Sequence, residues 1–116
     1  MFDGFVCGGA VYGKFVGMRD DLSPIYEKYT LSDVVVREKF ECAQSGVGNS
    51  EAVLYFISGR SYCKNELGIQ CPLPMPRADD VVFMNFGTDS ERVYKLAEAG
   101  YFIGLGDVEY TRLKLV

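Results

Sequence analysis

Four consecutive apolar residues, Val81-Val82-Phe83-Met84, end abruptly at Asn85-Phe86-Gly87-Thr88-Asp89. A run this short and this uniformly apolar fits a strand covered on both faces, so the rest of the chain must supply the cover. The break after it predicts a helix. Thr88 would accept a hydrogen bond from the Glu91 amide while the Glu91 side chain reaches back. Val93, Leu96, Ala97 and Gly100 fall at helical spacing, Glu91 and Lys95 pair at i,i+4, and Gly100 supplies the stop. Tyr101-Phe102-Ile103 is a second apolar run, leading through Gly104-Leu105-Gly106-Asp107 into a last strand from Val108 to Leu115. Apolar parity switches between Tyr110 and Leu113, which implies a bulge or a change of covering partner.

Upstream, Gly4 to Met18 alternates glycine with aromatic and β-branched residues and reads as one or two short strands. Gly8 to Lys14 has the spacing of a phosphate loop, but Phe15 stands where Ser or Thr would hold magnesium. Leu22-Ser23-Pro24 predicts a short helix, with Ser23 as cap, Pro24 in the first turn, and Ile25 and Tyr29 on one face. Val34 to Cys42 reads as a half-exposed strand: Val34, Val36, Phe40 and Cys42 face one way, Arg37, Lys39 and Glu41 the other, and Glu38 is the misfit. A turn from Gln44 to Ser50 leads to a central strand, Glu51 to Ile57. Gly59 to Asp80 is a long connection in which prolines at 72, 74 and 76 stiffen a strap across the sheet or an arm facing a partner.

A chain of 116 residues, 48% hydrophobic, can bury one adequate core without metal or crosslinks. Sixteen acidic against twelve basic side chains give a net charge of −4, which argues against a nucleic-acid clamp. No apolar run reaches the length of a membrane span and no basic region precedes an apolar one at the N-terminus, so a soluble, cytoplasmic protein is expected. Four cysteines, Cys7, Cys42, Cys63 and Cys71, read as core fillers in a reducing compartment, although Cys63 and Cys71 flank one loop and could bridge under an oxidant. With no histidine and no C-x-x-C pair, neither a metal nor a cofactor is expected.

The C-terminal stretch resembles the opening of the gamma-glutamylcyclotransferase family. The residues that carry the resemblance are Val82-Phe83-Met84-Asn85-Phe86-Gly87-Thr88-Asp89, Arg92, Phe102-Ile103-Gly104-Leu105-Gly106 and Arg112-Leu113. The N-terminal half is similar to that family's second half, through Val11-Tyr12-Gly13-Lys14-Phe15, the Leu22 to Tyr29 segment, the Val34 to Cys42 strand and Glu51-Ala52-Val53-Leu54-Tyr55. The halves are exchanged, so the resemblance implies one circularly permuted domain: 1–58 as the family's second half, 59–80 as the joint, and 81–116 as its first half. It implies an α+β fold, a mixed, curled, barrel-like sheet with two short helices and a cavity at one end. In that family the loop's backbone amides hold a glutamyl group, and a helical carboxylate moves the proton as 5-oxoproline forms.

Carried onto this chain, the resemblance makes Asn85, Phe86, Gly87, Thr88 and Asp89 the ligand loop, with Tyr29 beside it. Tyr29 occupies the catalytic glutamate's position, and Glu27, two residues earlier, would point elsewhere on a helix. Asp89 adds a negative charge to the loop. The expected function is therefore a non-catalytic binding module that takes a small anionic or γ-glutamyl-like ligand or a protein partner, as small acidic inhibitors do, including phage-encoded antagonists of host systems. The alternative is an active cyclotransferase with Glu27 as acid and base.

Overall fold

A computed structural model describes residues 6–42 and 48–116, with side chains described at 9–38 and 51–116. Its elements are eight strands: β1 (Val6–Met18), β2 (Pro24–Cys42), β3 (Gly48–Ile57), β4 (Tyr62–Lys64), β5 (Gln70–Cys71), β6 (Val81–Met84), β7 (Arg92–Ile103) and β8 (Glu109–Leu115), with a 3-10 turn at Leu105–Asp107. Every pairing among the described residues is antiparallel. The order β1-β6-β7-β8-β3-β2 returns to β1 through a β1–β2 pairing, while β4 and β5 branch from β2. The sheet therefore curls round a core without closing into a regular barrel. The mixed sheet and both helices of the α+β expectation are overturned, and with them the cyclotransferase-like fold.

The two misread helices fail for one physical reason. β6 is buried on both faces, as its apolar run requires, and its backbone must also be paired on both edges. A helix consumes its own amides and carbonyls and cannot serve such an edge. Residues 92–103 instead run beside Val81–Met84 as β7, and period two replaces period 3.6: Tyr94 and Leu96 are buried, whereas Val93 is 54% exposed. The predicted Glu91–Lys95 pair is absent, since Glu91 accepts from the Gly87 amide. Similarly, Pro24 to Tyr29 forms the start of β2 opposite β1, and Pro24 sits at the strand's first residue, where its missing N–H is harmless. Ser23 caps nothing; its amide and hydroxyl both donate to Asp21.

β2 is the spine. β1 lies along one edge, and β4 and then β3 lie along the other. Between them, at Ser32 and Asp33, the β1–β2 register slips and Asp33 takes a left-handed φ of 52°. The slip turns β2 over, so Leu31 and Val34 both reach the core. Buried Ser61 braces the slip, donating to the Asp33 carbonyl at 2.6 Å and accepting from the Ile57 amide at 2.9 Å. Beyond it Glu38, the misfit in its strand, faces inward. Its carboxylate accepts from Arg92 Nε and Nη2 at 2.9 and 3.0 Å and from the Tyr94 hydroxyl at 2.7 Å. The predicted positions of Phe40, Cys42, Cys7 and most of the 44–50 turn lie outside the residues or side chains described. On β8, Leu113 and Leu115 enter the core while Tyr110 turns outward onto Phe102 and Tyr55, so the parity switch is a change of covering partner.

A single carboxylate ties β1, the end of the 59–80 connection and β7. Asp80, 1% exposed, accepts from the Phe15 amide at 2.9 Å, from the Arg77 amide at 3.0 Å and from the Tyr12 hydroxyl, while its carbonyl takes the Leu96 amide at 3.1 Å. Burial first, and the Asp80 carboxylate second, hold the Tyr12 hydroxyl far above the ordinary phenol range. Asp80→Ala would strip three buried donors of their acceptor; we expect a loss of about 3 kcal/mol or more in urea unfolding, against about 1–2 kcal/mol for Tyr12→Phe. Because the folded-state pKa of Tyr12 is raised, its contribution is complete below its unfolded value of 10.0 and is lost as pH climbs above it. Alkaline unfolding curves should therefore be flatter for Tyr12→Phe than for the native chain.

Candidate functional site

The residues singled out from sequence separate onto two faces. Along β2, Tyr26, Lys28 and Thr30 point outward, and Glu27 and Tyr29 point to the side of Tyr12 and the core. The Tyr29 hydroxyl donates to the Glu27 carboxylate. That hydrogen bond, with smaller contributions from partial burial, Glu27's charge and the nearby Cys71 and Cys63, pushes the Tyr29 hydroxyl up to about 12. Glu27 is thus engaged by its neighbour. The loop at 85–89 lies on the other, outer face, where Phe86 packs on Phe83 with ring centres 5.3 Å apart.

The loop itself is a compact turn with no helix behind it. Asn85 and Gly87 take φ values of 55° and 80°, the left-handed region in which glycine is unstrained and asparagine is the next most tolerated. Several amides here are spent internally: Gly87 donates to Glu91 at 2.8 Å, Thr88 to the Asn85 carbonyl at 3.1 Å, Ser90 to the Thr88 hydroxyl at 3.2 Å, and Glu91 to the Thr88 carbonyl at 3.1 Å. The expected reach-back by Glu91 exists, but it closes a turn. A turn that spends its Gly87 and Thr88 amides on itself offers few donors to a carboxylate, and exposed Asp89 adds a like charge.

What this face does present is a stripe of rings. Phe15 meets Tyr26 at 6.2 Å, Tyr26 meets Phe83 at 6.1 Å, and Phe83 meets Phe86 at 5.3 Å, each edge-on. Lys28 places its ammonium 6.0 Å from the Phe86 ring centre. Gly13 makes the stripe possible, because a Cβ there would lie 2.8 Å from Val81 Cγ2 and 2.9 Å from Phe83 Cε2. A groove lies at each end. One, of about 580 Å³, is lined by Phe15, Met18, Pro24, Tyr26 and Val81, with Lys95, Asp79 and Asp80 as its charged residues. The other, of about 420 Å³, lies between Asn85 and Phe86 on one side and Thr30, Leu31 and Ser32 on the other. Its floor is opened at the register slip, where Gly9 faces the Leu31 carbonyl with no side chain of its own.

The structure sets Asn85 and Phe86 opposite Thr30, Leu31 and Ser32 across a groove, and neither Gly87 nor any residue of the 22–29 segment, Glu27 and Tyr29 included, lines it. Sequence reasoning missed Phe15, Tyr26, Phe83 and Lys28 as a group; the legible signal was period-two alternation through Tyr26, Lys28 and Thr30, hidden by the Ser-Pro helix start. A second aromatic group, Phe102 stacked on Tyr110 at 5.6 Å with Tyr55 edge-on and Arg112 4.6 Å above Phe102, uses its ring faces on itself. Among the described residues no cluster of three or more cysteine, aspartate or glutamate side chains could hold a metal ion. Nor do the described residues form a helix long and apolar enough to cross a membrane. Comparison with protein-family models, characterised proteins and solved structures finds no match. Gly13→Ala should force the Val81 and Phe83 side chains apart and cost about 1–3 kcal/mol by thermal unfolding; Phe86→Ala, at a ring 45% exposed, should cost well under that.

Proposed function

We propose that this protein is a binding module without chemistry of its own, and that its outer stripe takes an extended, apolar segment of a partner protein with a carboxylate placed over Lys28. The single observation that carries the reading is the continuity of groove, ring stripe and groove on one face of the sheet. Half-buried Phe15 and Tyr26 and exposed Phe86, braced edge-on by buried Phe83, present contact area with little entropy left to lose, the property that makes aromatic residues strong anchors. Val93 and Met18, 54% and 60% exposed, extend the apolar surface beyond what a solvated sheet face needs. Lys28 and Lys95 sit beside this surface on a chain whose net charge is −4, which favours an acidic flank on the segment bound. The enzymatic alternative draws no support from the geometry, since Glu27 is bound by Tyr29 and stands on the face away from the 85–89 turn.

Selection of peptides displayed at random against the whole chain tests the reading. Enrichment of segments with two or more large apolar residues and a neighbouring acid is expected. Phe86→Ala and Lys28→Glu should each weaken the selected peptide roughly tenfold or more, about 1.4 kcal/mol. Failure to enrich any peptide, or binding indifferent to both substitutions, would refute it.

A further inference from the structure

Where β3 leaves β2 to stay with β8, the sheet forks, and β4 and β5 form a small flap over the gap. The flap is thinly held. β4 pairs with β2 over Thr30–Ser32, β5 pairs with β4 at only two positions, and the Lys28 amide donates to Glu66 in the turn between them. Cys63 and Cys71 are register partners across this hairpin, with sulfurs 3.8 Å apart. Directly opposed antiparallel residues have Cα atoms about 4.5–5.5 Å apart, inside the window a disulfide requires. Cys63 is fully buried, whereas Cys71 is partly open and lines a cleft of about 490 Å³ with Phe56, Ser61, Tyr62, Gln70, Pro72 and Leu73.

We propose that Cys63 and Cys71 form a thiol–disulfide exchange site whose cleft admits a small-molecule disulfide, and that closure of the pair locks the flap. The two sulfurs have unequal roles. The Cys71 thiolate attacks one sulfur of the reagent; the reagent's S–S bond breaks, one small thiolate departs, and a mixed disulfide remains on Cys71. The Cys63 sulfur, already beside it, then attacks Cys71 Sγ and expels the second small thiolate. Each proton given up by a protein thiol ends on a departing thiolate, so two protein thiols are oxidised while one small disulfide is reduced to two thiols. Burial, followed by the hydrogen bond and charge of Cys71, pushes the Cys63 thiol up to about 12, so Cys63 is the poorer first attacker, and its position 3.8 Å from Cys71 Sγ is what carries the second step. Once Cys71 is a mixed disulfide, both of its contributions to that rise are gone. Closure would staple a nine-residue segment, Cys63 to Cys71, and fix the outermost strand and the start of the proline strap.

The test equilibrates the whole chain with oxidised glutathione, alkylates the remaining thiols and maps the peptides. A Cys63–Cys71 crosslink, reversed by dithiothreitol, is expected, together with a rise in thermal midpoint of roughly 5–10 °C over the reduced chain. Cys63→Ser should stop the exchange halfway and retain glutathione on Cys71. Both cysteines remaining alkylated after equilibration, glutathione persisting on the native chain, or a crosslink that leaves the midpoint unchanged would overturn the proposal. Because the first readout uses the native chain, it does not depend on a variant folding.

Discussion

Asp80 is the carboxylate on which three otherwise separate parts of the chain converge. It lies at the last residue before the fully buried β6, and β6 can be buried on both faces only if the backbone entering it is also satisfied without water. Its two oxygens collect amides from β1 and from the Arg77 turn together with the Tyr12 hydroxyl, and its carbonyl collects the Leu96 amide next to the irregularity in β7. A buried carboxylate that accepts on both oxygens is a strong geometric constraint, since each lost partner would leave a polar group unsatisfied. The 59–80 connection is thereby pinned at its far end. It is pinned near its start by buried Cys63 and past its middle by Cys71 and Leu73 packed on the core, so it is a strap and not a free arm.

The second organising feature is the slip in β2. A strand of nineteen residues paired without interruption would keep one set of side chains on one face throughout, and the core could not turn with it. The left-handed Asp33, braced by Ser61, resets the parity, allowing the sheet to curl back from β2 to β1. The same irregularity does three further things. It places Gly9 where a groove can open, delivers Glu38 to the inside where Arg92 and Tyr94 can meet it, and lets β3 and β4 share one edge of β2 with a fork between them. Both the outer groove and the dithiol cleft are consequences of this one departure from regular pairing.

Division of labour between the faces follows. Among the described residues, polar groups at the core come as satisfied sets: Asp80 with Tyr12 and two amides, Ser61 with the Ile57 amide and Asp33 carbonyl, and at the core's margin Glu38 with Arg92 and Tyr94. Outside, aromatic rings are held edge-on over strands that come too close for a side chain at Gly13. Glu27 and Tyr29, adjacent in sequence to this outer stripe, belong to the other face because neighbouring strand residues point in opposite directions.

Much was legible in the residues alone. The double-sided burial of Val81–Met84, the strands read at Glu51 to Ile57 and Val108 to Leu115, the parity switch between Tyr110 and Leu113 and the misfit of Glu38 all follow from local apolar pattern, which is a property of neighbouring residues and needs no partner to be read. The segments at 22–29 and 88–100 were a different matter. Each carries helix-start chemistry worth about 1 kcal/mol, and each lies against a strand edge whose unpaired amides and carbonyls would together cost more. That edge belongs to the strand just before it, β6 for β7 and β1 for β2, and those two strands are in turn paired with each other from opposite ends of the chain. Local pattern thus determined what each segment could bury, while only the assembled sheet decided what each segment had to pair with, and where the two disagreed the larger number of backbone hydrogen bonds prevailed.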